Sequence, residues 1–206
     1  MRTRNFAVVC ALLAGTSVLA HATSFDVNYG AKTSTVANLT STITYDGSTP
    51  NTTDPAGYAT YSGSYVFNQD TNPGGTGNWI DAQPGDAFTV SFSKPVDYVG
   101  FLWGSPDADN TVKIYDGATL LATYTGNELY DGNTHTYWGN SVAYVDIFGQ
   151  DITSITFSST SNPFETDNLS YQLPATITPE PSTLLLLGSG LLGFAGMARR
   201  KFAARA

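Results

Sequence analysis

Apolar and polar positions alternate in short runs along the middle of the chain. Phe88, Val90 and Phe92 share one face of residues 86–92, and Val99, Phe101 and Trp103 share one face of residues 97–104. Val112 with Ile114, then Ile155 with Phe157, repeat the pattern. A period of two in β-branched and aromatic residues predicts strands. No 11-residue window between residues 25 and 172 carries the i, i+3, i+4, i+7 apolar stripe of a helix. Turn-forming pairs punctuate the runs: Asp46-Gly47, Pro84-Gly85, Lys94-Pro95, Asp116-Gly117 and Asp131-Gly132. Residues 112–124 read as a hairpin turning at Asp116-Gly117. About ten strands at this spacing predict one all-β domain, an antiparallel β-sandwich of jelly-roll-like type.

The two ends break the pattern. Residues 1–22 carry Arg2 and Arg4, an apolar stretch over residues 6–14, and then Ala20 and Ala22 in the small-x-small spacing of a signal peptidase site. A signal helix cut after Ala22 is expected. Cys10, the sole cysteine, lies within it, so the mature chain has no thiol of its own. At the other end, residues 183–198 are uncharged and precede Arg199, Arg200 and Lys201. A helix of sixteen residues spans roughly 24 Å, short of a hydrocarbon core of about 30 Å. Gly188, Gly190, Gly193 and Gly196 weaken it further. The basic cluster would hold the tail on the cytoplasmic side of the inner membrane. Just upstream, Pro179 and Pro181 keep the chain around Glu180 extended. The expected organisation is a signal peptide over 1–22, a sandwich over 23–173, a linker over 174–182, and a hydrophobic helix with basic tail over 183–206.

Charge narrows the partners. Residues 23–178 hold sixteen acids against Lys32, Lys94 and Lys113, a formal net charge of −13. That field repels nucleic acid, which is set aside as a partner.

Pro179-Glu180-Pro181-Ser182, the apolar segment and Arg199-Arg200-Lys201 together resemble the PEP-CTERM sorting signal of exosortase substrates. The resemblance covers residues 178–201. It implies export from a Gram-negative bacterium, processing by an exosortase after signal peptidase, and transient insertion in the inner membrane. It also implies a final place on the outer surface or in an exopolysaccharide matrix. Residues 86–172 resemble a family of exosortase-dependent surface proteins, named for sorting and not for an activity. Residues 164–171, FETDNLSY, are similar to the last strand of carbohydrate-binding jelly rolls, where an aspartate often helps to hold a structural calcium.

Three sets of candidate residues follow. Asp167, with Asp26 on the first strand, would supply part of a Ca²⁺ site if first and last strands are neighbours. The alternative is that Asp167 and Asn168 bond turn backbone. Residues 105–110, SPDADN, gather oxygen ligands but lack the glycine and distal glutamate of an EF-hand loop, so a solvated turn is favoured. Trp79 and Trp138 sit in loop-like sequence and are the candidate sugar-stacking rings, whereas Trp103 follows the inward pattern of Val99 and Phe101. Enzymatic chemistry finds little support. His135 is the only histidine after the signal, and no nucleophile elbow is present. The expectation is a non-enzymatic surface or matrix protein, with a carbohydrate-binding module as the alternative.

Overall fold

Lys94 and Pro95, expected to separate two strands, lie inside one strand of eighteen residues, Ala87–Gly104. Proline has no N–H for a ladder, but here none is required: the register with the neighbouring strand shifts between Ser91 and Val96, and again before Tyr98. The structure is a computed structural model. It describes residues 23–46, 52–68, 77–129, 142–175, 187–190 and 192. These fall in two units divided between Leu173 and Pro174. The expected signal helix lies outside the described residues, as does most of the C-terminal helix.

The first unit is the expected all-β antiparallel sandwich. Its strands are β1 (Ser24–Tyr29), β2 (Ser41–Ile43), β3 (Ala59–Gly63), β4 (Val66–Asn68), β5 (Trp79–Ala82), β6 (Ala87–Gly104), β7 (Thr111–Asp116), β8 (Thr119–Thr125), β9 (Val142–Ser158) and β10 (Phe164–Gln172). All pairings are antiparallel. The long strands β6 and β9 pair along both of their halves and bend together, so each serves both layers. One layer holds β1, the first half of β9, the second half of β6, β10, then β2 and β5, with β4 outermost. The other holds β3, the first half of β6, the second half of β9, β7 and β8. At the bend in β9, Asp151 takes a φ of 58°, and across it the carboxyl of Asp97 is raised by burial and by the charge of Asp151.

The alternating positions named above fill the space between the layers. Phe88, Val90, Val99, Phe101, Trp103, Val112, Ile114, Ile155 and Phe157 are all buried. Rings interlock across the gap: Phe101 meets Phe157 edge-on at 5.0 Å, Phe157 meets Phe164 at 5.2 Å, and Phe25 stacks on Tyr124 at 4.2 Å. Each such pair adds about 0.5–1.5 kcal/mol beyond its buried area.

The second half of β6 is buried on its outer face too. Leu102 and Tyr144 pack there with Trp79, under Ala31. The segment after β1 covers this face through specific bonds. Ser34 and the hydroxyl of Tyr98 lie 2.6 Å apart, and Asn168 donates to the carbonyl of Lys32 at 2.9 Å. Tyr98 also donates to Asp146 at 2.5 Å.

The predicted hairpin forms one residue later than expected. Asp116 pairs with Thr119, so the two turn residues are Gly117 and Ala118. Gly117 takes a φ of 54°, which suits the first position of a two-residue hairpin turn.

Candidate functional site

Asp109 shows how the acids of the domain are used. It follows β6 in the loop read above as a possible cluster of oxygen ligands. Its Oδ2 accepts the N–H groups of Ser161 (2.7 Å) and Asn162 (2.9 Å) and the hydroxyl of Ser159 (2.9 Å). Its Oδ1 accepts Asn162 Nδ2 at 3.1 Å. Burial works against the charge, yet the bonds from Asn162, Ser159 and Ser161 hold its pKa at about 2. Asn110 is wholly buried alongside. Its Oδ1 accepts Trp103 Nε1 (3.2 Å) and the N–H of Asp107 (3.1 Å), while its Nδ2 donates to Ser159 and to the carbonyl of Asn162. The loop is a clasp between the β6–β7 and β9–β10 connections.

Asp54 does the same at another corner. It accepts the hydroxyls of Ser41 (2.6 Å) and Tyr171, and the N–H groups of Ala56, Tyr58 and Ala59. Burial opposes its ionisation, but these bonds, led by Ser41 and Tyr171, lower its pKa.

The proposed calcium pair does not assemble. Asp26 is exposed on β1, which pairs with β9; β9 and β6 both lie between β1 and β10. Three strand spacings of about 4.8 Å put the two backbones roughly 14 Å apart. The premise of neighbouring first and last strands fails, because β10 is flanked by β2, β5 and β6 instead. Asp167 is fully buried, and its Oδ1 accepts the N–H of Asn168 at 2.6 Å. Asn168 sits with φ 49° within the β10 bulge, and its carbonyl accepts Tyr144 Oη at 2.9 Å. Among the described residues, no group of three or more histidines, cysteines or acids is placed to hold a metal.

Trp79 is corrected as well. It is the first residue of β5 and 1 % exposed, so its ring faces have no surface to offer a sugar. Sequence reasoning misread it because the glycine-rich approach suggested a loop. Trp103 is buried as expected, stacked on Phe164 at 4.5 Å. Trp138 and His135 lie outside the described residues.

One constellation was missed from sequence. Asp81 on β5 stands directly opposite Glu165 on β10, and Asp81 is 2 % exposed. Burial and the charge of Glu165 push the Asp81 pKa up to about 7. The alternation Trp79, Ile80, Asp81, Ala82 carries the signal in part, since it sets Asp81 opposite to the core-facing Ile80 and Ala82. Nothing local announces that the outer face is covered.

Of the C-terminal unit, Leu187, Ser189, Gly190 and Leu192 are helical and exposed, and so is Gly188. Among the described residues no helix is long and apolar enough to cross a membrane. Pro179, Glu180, Pro181, Arg199, Arg200 and Lys201 lie outside the described residues, as do Ala20 and Ala22.

No curated protein matches the chain. Among solved structures it is similar to the catalytic domain of a GH87 alpha-1,3-glucanase in complex with tetrasaccharides, at 11% identity and a TM-score of 0.36. That likeness covers 76% of this chain and 29% of the other, and at this score carries no argument about activity. Residues 178–201 match the PEP-CTERM protein-sorting motif. That match holds the proline-flanked glutamate, the glycine-spotted apolar segment and the basic cluster in one stretch, and it supports a PEP-CTERM protein processed by an exosortase.

Proposed function

We propose that this chain is a non-enzymatic β-sandwich protein of the outer surface or extracellular matrix of a Gram-negative bacterium. The observation that carries the reading is the sorting motif over residues 178–201. Signal peptidase would act after Ala22. The apolar tail would then hold the exported chain briefly in the inner membrane, where exosortase acts near Glu180. A segment of sixteen uncharged residues with four glycines suits a temporary hold better than a permanent span.

The non-enzymatic part rests on how the described acids and polar side chains are used. Asp54, Asp109 and Asn110 are spent on backbone and neighbouring side chains, and Asp146 on Tyr98 and Asn28. The sandwich would then serve as a stable, strongly acidic body in a polysaccharide-rich surround.

Intact mass spectrometry of the protein from its native cells tests the reading. The expected product starts at Thr23 and lacks Leu187 to Leu192. Recovery of membrane-bound material that still carries those residues, in cells with an active exosortase, would overturn it.

A further inference from the structure

Among the described residues, unpartnered buried polar atoms gather at the β5–β10 seam. Three buried side-chain atoms have no hydrogen-bond partner among the described residues: Trp79 Nε1, Asp81 Oδ1 and Thr166 Oγ1. All three belong to these two strands. Thr166 pairs with Ile80, and Glu165 pairs with Asp81 on the one side and with Gly104 of β6 on the other. The packing is close: a Cβ added at Gly104 would stand 2.7 Å from the Trp79 ring and 3.1 Å from Glu165.

We propose that Asp81 and Glu165 form a proton-dependent latch, which holds β5 against β10 while a proton sits on Asp81 and loosens the seam when both acids are ionised. Two carboxylates in direct cross-strand register repel each other, and like charges opposite one another destabilise a sheet. Burial sharpens the repulsion, because little water screens it. The surroundings of Asp81 offer only weak compensation. From β4, Val66 stands opposite Asp81, and Asn68 Nδ2 reaches its Oδ2 at 3.5 Å. From β6 comes Gly104, and from the loop after it Ser105, which donates its hydroxyl to Glu165 and not to Asp81. The titratable groups on this side of β10 are Glu165 and, two residues on, Asp167; Asp107 follows in the β6–β7 loop beside Asp109. The elevated pKa of Asp81 agrees with this geometry.

A proton on Asp81 removes one charge and turns an acceptor into a donor. Loss of that proton leaves a buried carboxylate with one oxygen unpaired among the described residues. The strands affected are β5 and β4, which is joined to the sheet through β5.

Urea unfolding of the full-length chain between pH 5.5 and 8.5 tests the latch. The folding equilibrium constant is expected to fall by roughly ten- to thirtyfold across that range. Asp81→Asn, a neutral mimic of the protonated acid, should flatten the curve, and Glu165→Gln should move its midpoint to lower pH. Should Asp81→Asn fail to fold, hydrogen exchange on the unmodified chain decides. Amides of Phe67, Ile80 and Ala82, corrected for intrinsic rate, should lose more protection than that of Ile114 on β7 as pH rises through 7. An Asp81→Asn curve that keeps the full pH dependence overturns the proposal. So does recovery of stability at pH 8.5 by millimolar Ca²⁺ in the unmodified chain alone, which would make the pair a cation site.

Discussion

Asp109 and Asn162 lie 53 residues apart in sequence, yet one carboxylate accepts both the backbone N–H and the side-chain amide of that asparagine. This contact closes two inter-strand loops on each other. Asp109→Ala should therefore destabilise the sandwich by about 2–3 kcal/mol, since bonds to a charged acceptor contribute about 1.5–3 kcal/mol. Chemical unfolding at pH 7 reads the loss directly. At pH 1.5, where the native carboxylate is itself protonated, the gap between variant and parent should shrink.

Asn110 should prove less replaceable than its size suggests. Asn110→Ala strands the Trp103 indole N–H and the Asp107 N–H inside the protein. An expected cost of about 2–4 kcal/mol follows from leaving one buried and one half-buried donor unpaired. Trp103→Phe in the same background should recover part of it, because it removes one of those donors. A double-mutant cycle measures the coupling.

Gly100 is fixed by lack of room. A Cβ there would collide with the Tyr98 hydroxyl and stand 2.8 Å from the Tyr144 ring. Gly100→Ala should displace Tyr98 from Asp146 and cost about 1–3 kcal/mol. Near-ultraviolet circular dichroism of the tyrosines and the thermal midpoint should change together.

The acids of this domain pull stability in opposite directions with pH. Asp54 and Asp109 have native pKa values below the ordinary 3.8, so their contribution is present above that value and fades as pH falls through the native pKa, about 2 for Asp109. Asp81 has a raised native pKa, so its contribution is full below 3.8 and fades as pH rises through about 7. Maximum stability should fall near pH 4–5, below the neutral range. A set of melting curves from pH 2 to 8 checks this; a stability that rises steadily to pH 8 would contradict it.

The sorting tail has its own test. Replacing Pro179 and Pro181 with Ala lets the segment around Glu180 join a helix and should block processing. The unprocessed chain would accumulate in the membrane fraction and be seen by intact mass. The sandwich should melt unchanged.

The strands were legible because their alternation survives in the fold. Phe88, Val90 and Phe92 point one way, as do Val99, Phe101 and Trp103, and each set is buried. Their continuity was not legible, since a proline ends most strands, and only the register shift between β6 and β9 around Pro95 makes it harmless here. The Asp26–Asp167 pairing failed for a different reason. Sheet order is set by long-range pairing, and no local signal says that two long strands separate the first from the last. Trp79 failed because a residue's neighbours in sequence do not report what covers it in space. The sorting motif was readable because its signal is linear: the proline-flanked glutamate, the apolar run and the basic cluster stand in one stretch of sequence.

The position of β10 has a mechanical consequence. It is the last strand before the sorting segment, and it is gripped along both edges, by β6 on one side and by β5 and β2 on the other. A tether at the C-terminal end would thus apply tension to an interior strand. Such a load shears several rows of backbone bonds at once, where an edge strand would peel away bond by bond. A protein fastened by this end to a moving or swollen surround would keep its body intact until those rows give way as a unit.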